Sequence, residues 1–245
     1  MCDMANTLLL EESEGFATIK INDPENGNRV SDEMAAELTN LINEAQSNNQ
    51  FILFKSVGSA FCMGRAVMGE KKGALPEALE MRNKFDVVFD LYESFRNSQI
   101  PIIGIVQGEA HGFGAALAAL TDITICSENA KFSLPETSHN IMPTMAMSAL
   151  MGRVGRKALL HMTYTCDVID AQLALNFGLI TQVVPHIELS QTEKDVIQKI
   201  KRIPLSAIKA VKEFSTEAEE LSTKSAKAYA RNLHATINSS ESLRN

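Results

Sequence analysis

Residues 100–143 read IPIIGIVQGEAHGFGAALAALTDITICSENAKFSLPETSHNIMP, and their reading decides the fold. A β-branched run of Ile102, Ile103, Ile105 and Val106 stops at Gly108. The chain then passes through Gly112-Phe113-Gly114 into an Ala/Leu-rich segment that predicts a helix. A second apolar strand is expected from Thr121 to Cys126, followed by Phe132-Ser133-Leu134-Pro135-Glu136. A strand, a glycine turn and a helix N-terminus in succession leave backbone N–H groups unpaired. Such groups can stabilise negative charge that develops on an oxygen. With the Glu136 carboxylate in a Pro-flanked turn, the combination suggests proton chemistry beside a carbonyl. The same glycine pair also serves tight packing in α/β proteins, and the residues alone leave both readings open.

Outward from this stretch, strands and helices alternate. Thr7 to Leu10 and Phe16 to Ile21 predict a hairpin around Glu14-Gly15. Ser31 fits an N-cap, and Met34, Leu38, Leu41, Ile42 and Ala45 are spaced for one buried helical face. Phe51 to Ser56 predicts a strand. Leu79, Phe85, Val88, Phe89, Tyr92 and Phe95 predict one long helix from Glu77 to Phe95. Gly69 to Leu75 is a polar, glycine-bounded segment expected to be a surface loop. From Leu189 the chain is charged and helical, broken at Pro204, with Ile208, Val211, Phe214, Ala218 and Leu221 as its apolar positions. Repeated strand–helix units imply crossover connections and a mostly parallel sheet.

Composition narrows the function. The net charge of −7 argues against a nucleic-acid groove. No apolar run reaches membrane-spanning length, and the first residues show no signal-peptide pattern. Cys2, Cys62, Cys126 and Cys166 form no CxxC pair and fit no zinc spacing, so reduced thiols and a cytoplasmic location are expected. His161, His186 and His234 show no metal spacing either. Gly108, Gly112 and Gly114 are spaced wrongly for a dinucleotide fingerprint.

The run Ile100-Pro101 through Val106-Gly108, with Ala110, Gly112, Gly114 and Asp122, resembles the signature of the crotonase (enoyl-CoA hydratase/isomerase) superfamily. Gly58-Ser-Ala-Phe61-Cys-Met-Gly64-Arg65 resembles that family's first oxyanion loop. Phe132 to Glu136, Arg153 to Ala158, and Asp170-Ala171 to Gly178-Leu179-Ile180 continue the likeness in order. Asn22-Asp23-Pro24 and Asn28 fit its first strand and turn. The likeness runs from about Leu8 to Pro185 and implies a ClpP-like β-β-α superhelix at residues 1–188. Residues 189–245 would then form a C-terminal helical trimerisation region in a homotrimer or hexamer.

The resemblance also implies the chemistry. The substrate would be an acyl-CoA thioester, with coenzyme A carried as part of it and no separate cofactor or metal. The backbone amides of Arg65 and Phe113 would hold the thioester oxygen, and Glu136 would move the proton. Phe113 stands where the family often has Gly, either reshaping the pocket or packing as a buried ring. Family hydratases use two glutamates, and the first of those positions is Ala116 here. One carboxylate suffices to carry a proton between C2 and C4 of a 3-enoyl thioester, so the expected reaction is isomerisation to the 2-enoyl form. Hydration of a 2-enoyl thioester is the alternative, with Glu109 or His111, which alternate along an extended segment, completing the pair. A catalytically silent acyl-CoA-binding protein is a third reading. Thr144 lacks the carboxylate found there in some family hydrolases and a dehalogenase. Asn28, Arg29, Val30, Ala60, Met63 and Gly64 are expected along the CoA, Gly112 and Gly114 at the oxyanion turn, and Met142 in the acyl pocket. Met63, Met68, Met142, Met145, Met147 and Met151 suit an adaptable pocket or ordinary core filling. Lys209 and Lys212 are candidates for a CoA phosphate or for a solvated helix face.

Overall fold

The computed structural model describes residues 7–66 and 77–243, apart from the side chain of Ser242. The Gly69–Leu75 segment, Met68 and Cys2 lie outside the described residues. Strands β1 (Leu8–Ser13) and β2 (Phe16–Ile21) pair antiparallel, with Glu14-Gly15 between them. Parallel strands β3 (Phe51–Ser56), β4 (Ile102–Val106), β6 (Ile123–Ser127) and β9 (Gln182–Val184) then extend the sheet in the order β1-β2-β3-β4-β6-β9. A second sheet holds β5 (Glu109–His111), β7 (Lys131–Ser133) and β8 (Ile169–Asp170). Two successive turns of the chain each give a strand to the large sheet, a strand to the small one, and then a helix. β4, β5 and α4 (Phe113–Leu120) form one such turn. β6, β7 and the segment leading to α5 (Thr144–Leu150) form the next. An earlier turn runs from β3 through Cys62, which bridges Ala110 of β5, to α2 (Ala78–Asn83) and α3 (Asp86–Arg96). The β-β-α winding expected from the sequence is therefore present.

Alternation along the central strands explains how both sheet faces are covered. Ile52 and Phe54 of β3 point into the main core with Leu38 and Ile42 of α1 (Asp32–Asn48) and Phe95 of α3. Phe51 and Leu53 point the other way, with Ile103, Ile105 and Ile125, onto Leu189 and Ile200 of α8 (Leu189–Lys201) and Ile208 of α9 (Leu205–Glu217). Ser31 caps α1 by accepting from the Met34 amide at 3.2 Å. Helices α6 (Arg156–Thr165), α7 (Ala171–Phe177) and α10 (Thr223–Asn238) complete the chain. Among the described residues no helix is long and apolar enough to cross a membrane.

Three expectations need correction. The helix predicted over Glu77–Phe95 is two helices, with a tight turn in which Phe85 donates to the Arg82 carbonyl. The apolar positions do not form one stripe, since Leu79 is 64% exposed while Phe95 is wholly buried. The strand expected from Thr121 begins at Ile123, because Thr121 ends α4 and Asp122 turns its carboxylate back to the Ile102 amide at 2.8 Å. Lys212 lies on no solvated face. Its side chain is 6% exposed and its Nζ sits 2.5 Å from Asp122.

Candidate active site

The first wall of the site is a loop stitched between two elements. The amides of Phe61 and Cys62 donate to the Glu109 carbonyl, and the His111 amide returns to Cys62. On the other side Val30 donates to the Gly64 carbonyl and Ala66 donates to Val30, so Arg65 and Val30 form a parallel bridge. In such a bridge the flanking residues make the bonds, and the N–H of Arg65 itself points away from Val30. Arg29 Nη1 fixes the loop further by donating to the Met63 carbonyl at 2.8 Å. The Arg65 side chain is paired with Asp32.

The second wall is the glycine turn. Gly112 has φ +52, and a Cβ there would come within 2.8 Å of Glu136 Oε1. Only glycine lets the turn and the carboxylate approach this closely. A Cβ on Gly114 would sit 2.0 Å from the Cys62 carbonyl oxygen, so the start of α4 is pressed directly against the first loop. Phe113 opens α4, where an amide has no acceptor within its own helix. Its ring is 5% exposed and stacks on Tyr92 at 5.8 Å and 27°. Phe113 is thus buried while still bordering the cavity between the two walls, so both of its readings stand.

Between these walls lies a cavity of about 860 Å³. Arg29, Met63, Gly64 and Arg65 border it, as do His111, Gly112 and Phe113. Ser133 and Glu136 enter from the end of β7, and Met142 and Met145 from the approach to α5 and its first turn. Among the described residues that line it, Glu136 is the one carboxylate. Burial pushes the Glu136 pKa up, partly offset by a bond from its own backbone N–H and by the charge of His139. Its Oε2 is buried without a hydrogen-bond partner among the described residues.

Several expected residues are tied into the walls of the site. Asn28 is wholly buried and spends its side chain on the carbonyls of Val57 and Ala60, at 2.8 and 2.7 Å, and on the Asp23 amide. Its work is to hold the first loop in place. Val30 and Ala60 are likewise tied into the loop, and Gly114 lies at the glycine turn as expected. Glu109 and His111 do share one face, with His111 Nε2 3.7 Å from Glu109 Oε1 and Nδ1 2.8 Å from Ser133 Oγ. His111 reaches the cavity and Glu109 does not. Burial lowers the His111 pKa, against the raising effect of Glu109, which favours the neutral ring. Cys62 is buried and its thiol pushed up to about 12 by desolvation, which suits packing and not nucleophilic attack. Among the described residues no cluster of His, Cys, Asp and Glu is arranged to hold a metal ion.

Phe89 and Tyr92 of α3 and Phe85 at its N-cap also line the cavity, which their helical spacing did not indicate. The signal available was a polar-tipped aromatic, Tyr92, on an otherwise apolar stripe.

Comparison with known proteins agrees with this geometry. Residues 11–244 match the family model described as enoyl-CoA hydratase/isomerase. A probable enoyl-CoA hydratase of Rhodobacter capsulatus is 28% identical over 208 residues, covering 84% of this chain and 80% of that protein. A 1,2-epoxyphenylacetyl-CoA isomerase of Escherichia coli is 25% identical over 220 residues, covering 88% of this chain and 84% of that protein. A crystal structure of an enoyl-CoA hydratase from Mycobacterium smegmatis superposes with a TM-score of 0.90 at 25% identity, covering 97% of this chain and 93% of that one. The winding of the sheets is the crotonase fold, the fold of an acyl-CoA enzyme. The chain belongs to the enoyl-CoA hydratase/isomerase family.

Proposed function

We propose that the protein shifts the double bond of a 3-enoyl-CoA to the 2-position, with Glu136 as the sole acid/base. The observation that carries this reading is the single carboxylate in the cavity, with Ala116 buried in the helix of the glycine turn. The carboxylate of Glu136 removes a proton from C2. The electrons pass to the thioester oxygen, giving a dienolate held by the amides of Arg65 and Phe113. The same proton returns at C4 as the double bond forms between C2 and C3, so nothing is added or lost. Arg29 and Arg65 border the cavity as cations for the CoA phosphates. The raised Glu136 pKa brings the group toward the operating pH, where acid/base catalysis is most effective.

Hydration of a 2-enoyl-CoA is the second reading, favoured by His111, which lines the cavity and offers a neutral ring beside Ser133. Incubating the purified protein with 3-enoyl-CoA and 2-enoyl-CoA separately distinguishes them. Isomer formation that fails in Glu136→Gln, with little 3-hydroxyacyl-CoA from the 2-enoyl substrate, is the expected result. Rapid 3-hydroxyacyl-CoA formation would replace isomerisation with hydration. Binding of thioesters without turnover would leave a silent acyl-CoA-binding protein. A homotrimer or hexamer belongs to the same reading and rests on the family resemblance, whereas the cytoplasmic setting rests on the cysteine pattern. Sedimentation at three times the 26.8 kDa chain mass is the expected outcome, and a monomer would remove the trimer.

A further inference from the structure

Glu109 and His111 stand out in the sequence as polar residues just before the glycine turn, and isomerisation by Glu136 uses neither. The small sheet gives them a third member. Strands β5 and β7 run parallel, with His111 opposite Ser133. His111 Nδ1 lies 2.8 Å from Ser133 Oγ, and Nε2 lies 3.7 Å from Glu109 Oε1. With the ring proton on Nε2, facing the carboxylate, Nδ1 is left to accept from the Ser133 hydroxyl. A hydroxyl, an imidazole and a carboxylate in that order are the parts of an activated nucleophile.

This row borders the cavity. Ser133, 3% exposed, and His111 both line it, while the Glu109 side chain stands behind them, 50% exposed. The Gly112 amide donates to the Ser133 carbonyl at 2.9 Å, so the serine is bonded to the residue before Phe113. A Cβ on Gly64 would meet the His111 carbonyl at 3.6 Å, so the histidine touches the residue before Arg65. Serine and histidine are thus each in contact with the residue that precedes one of the two amides proposed to hold the thioester oxygen. Burial lowers the His111 pKa, Glu109 opposes that effect, and Arg29 and Lys131 add to it, so the ring is neutral at pH 7 and able to take a proton.

We propose that Ser133, His111 and Glu109 form a nucleophilic site that takes the acyl group from a CoA thioester, a second activity in the same cavity. The Ser133 oxygen attacks the thioester carbon while His111 Nδ1 takes its proton. The carbon–sulfur bond breaks, and the proton passes from His111 to the leaving sulfur as the CoA thiol departs. Water, giving a proton to His111, then attacks the acyl-serine ester. The carboxylic acid leaves and the proton returns to the Ser133 oxygen. The sum is thioester plus water giving acid plus thiol. Glu109 is a positioning residue that holds the tautomer and stabilises the charged ring. The proposal rests on the acyl-CoA reading of the cavity and is independent of isomerisation and hydration.

The test uses butyryl-CoA, which has no double bond to move or hydrate. The protein is expected to release free CoA, read by chromatography, and after acid quenching to carry a butyryl group on the peptide containing Ser133, read by mass spectrometry. Ser133→Ala is expected to abolish both. His111→Gln should slow CoA release by about 10²–10⁴-fold, the usual worth of a positioned base. Release needs the neutral ring, so its rate rises with pH through the His111 pKa. Glu109 raises that pKa, so Glu109→Gln should move the rise to lower pH, whereas a merely structural Glu109 would leave it in place. CoA release that persists in Ser133→Ala, or a butyryl group on another residue such as Glu136, would overturn the proposal. So would binding of butyryl-CoA without release. The position of the butyryl group and the Glu109→Gln profile decide the matter even if Ser133→Ala folds poorly. Calorimetry separates binding without release from failure to bind, which would remove the acyl-CoA reading as well.

Discussion

At the scale of one residue, the proposed reaction rests on Glu136, whose pH behaviour follows from its surroundings. Desolvation raises its pKa above the ordinary 4.5, against weaker opposing effects of its backbone bond and His139. A carboxylate that removes a proton must be ionised. Activity is therefore present above the raised pKa and lost as pH falls through it, so the acid limb of kcat/KM should lie above 4.5. Glu136→Gln should lower kcat by about 10²–10⁴-fold, the usual worth of a positioned acid/base. The stability sign runs the other way. Burial penalises the charged form in the folded state only, so ionisation as pH rises costs the fold stability. The uncharged amide removes that penalty, and Glu136→Gln should melt no lower than wild type at neutral pH. A much lower melting temperature would recast Glu136 as a structural residue.

At the scale of elements, the site is the seam between the 61–66 loop and the start of α4, and Gly114 measures how tight it is. The Gly114→Ala methyl would lie 2.0 Å from the Cys62 carbonyl oxygen, so loop or helix must shift. Either shift moves one of the two amides proposed to hold the thioester oxygen. Turnover should fall by about 10²–10³-fold, as when one oxyanion donor is lost. Overpacking should cost about 1–3 kcal/mol of stability. Kinetics and urea unfolding on the same variant check both, and wild-type turnover would show that the amides of this seam are not used. Much of this was legible in the sequence. The glycine turn, the strand at Phe51–Ser56, the cap at Ser31 and the carboxylate at Glu136 each follow from local residue chemistry, which one chain states directly. The break between α2 and α3 and the cavity-facing role of Tyr92 were not legible. An apolar stripe has the same period whether it faces a core or a cavity, so only the packed structure separates Phe95 from Tyr92. The side-chain role of Asn28 was not legible either: the carbonyls it serves lie 29 and 32 residues along the chain, and pattern does not show that distance.

At the scale of the whole molecule, Lys212 decides how the C-terminal helices are joined to the spiral. Its Nζ reaches from α9 to Asp122, whose other oxygen accepts from the Ile102 amide at the start of β4. The two carboxylate oxygens thus fasten the outer helix layer to the central sheet, beside the apolar contact of Ile208 with Ile103 and Ile105. Lys212 and Asp122 side chains are 6% and 19% exposed, so water cannot replace the lost partner cheaply. Removing one member of a buried pair costs about 3–5 kcal/mol, because the other charge stays buried and unpaired. Lys212→Met should lower the urea midpoint by an amount of that order. Adding Asp122→Asn should recover part of the loss, since the amide leaves no charge stranded while its oxygen still accepts from Ile102. Lys212 lies away from the cavity walls, so turnover in the absence of urea should stay close to wild type. A loss of turnover without a shift in the midpoint would mean that Lys212 acts on the thioester after all, and that the buried pair is not its role in solution.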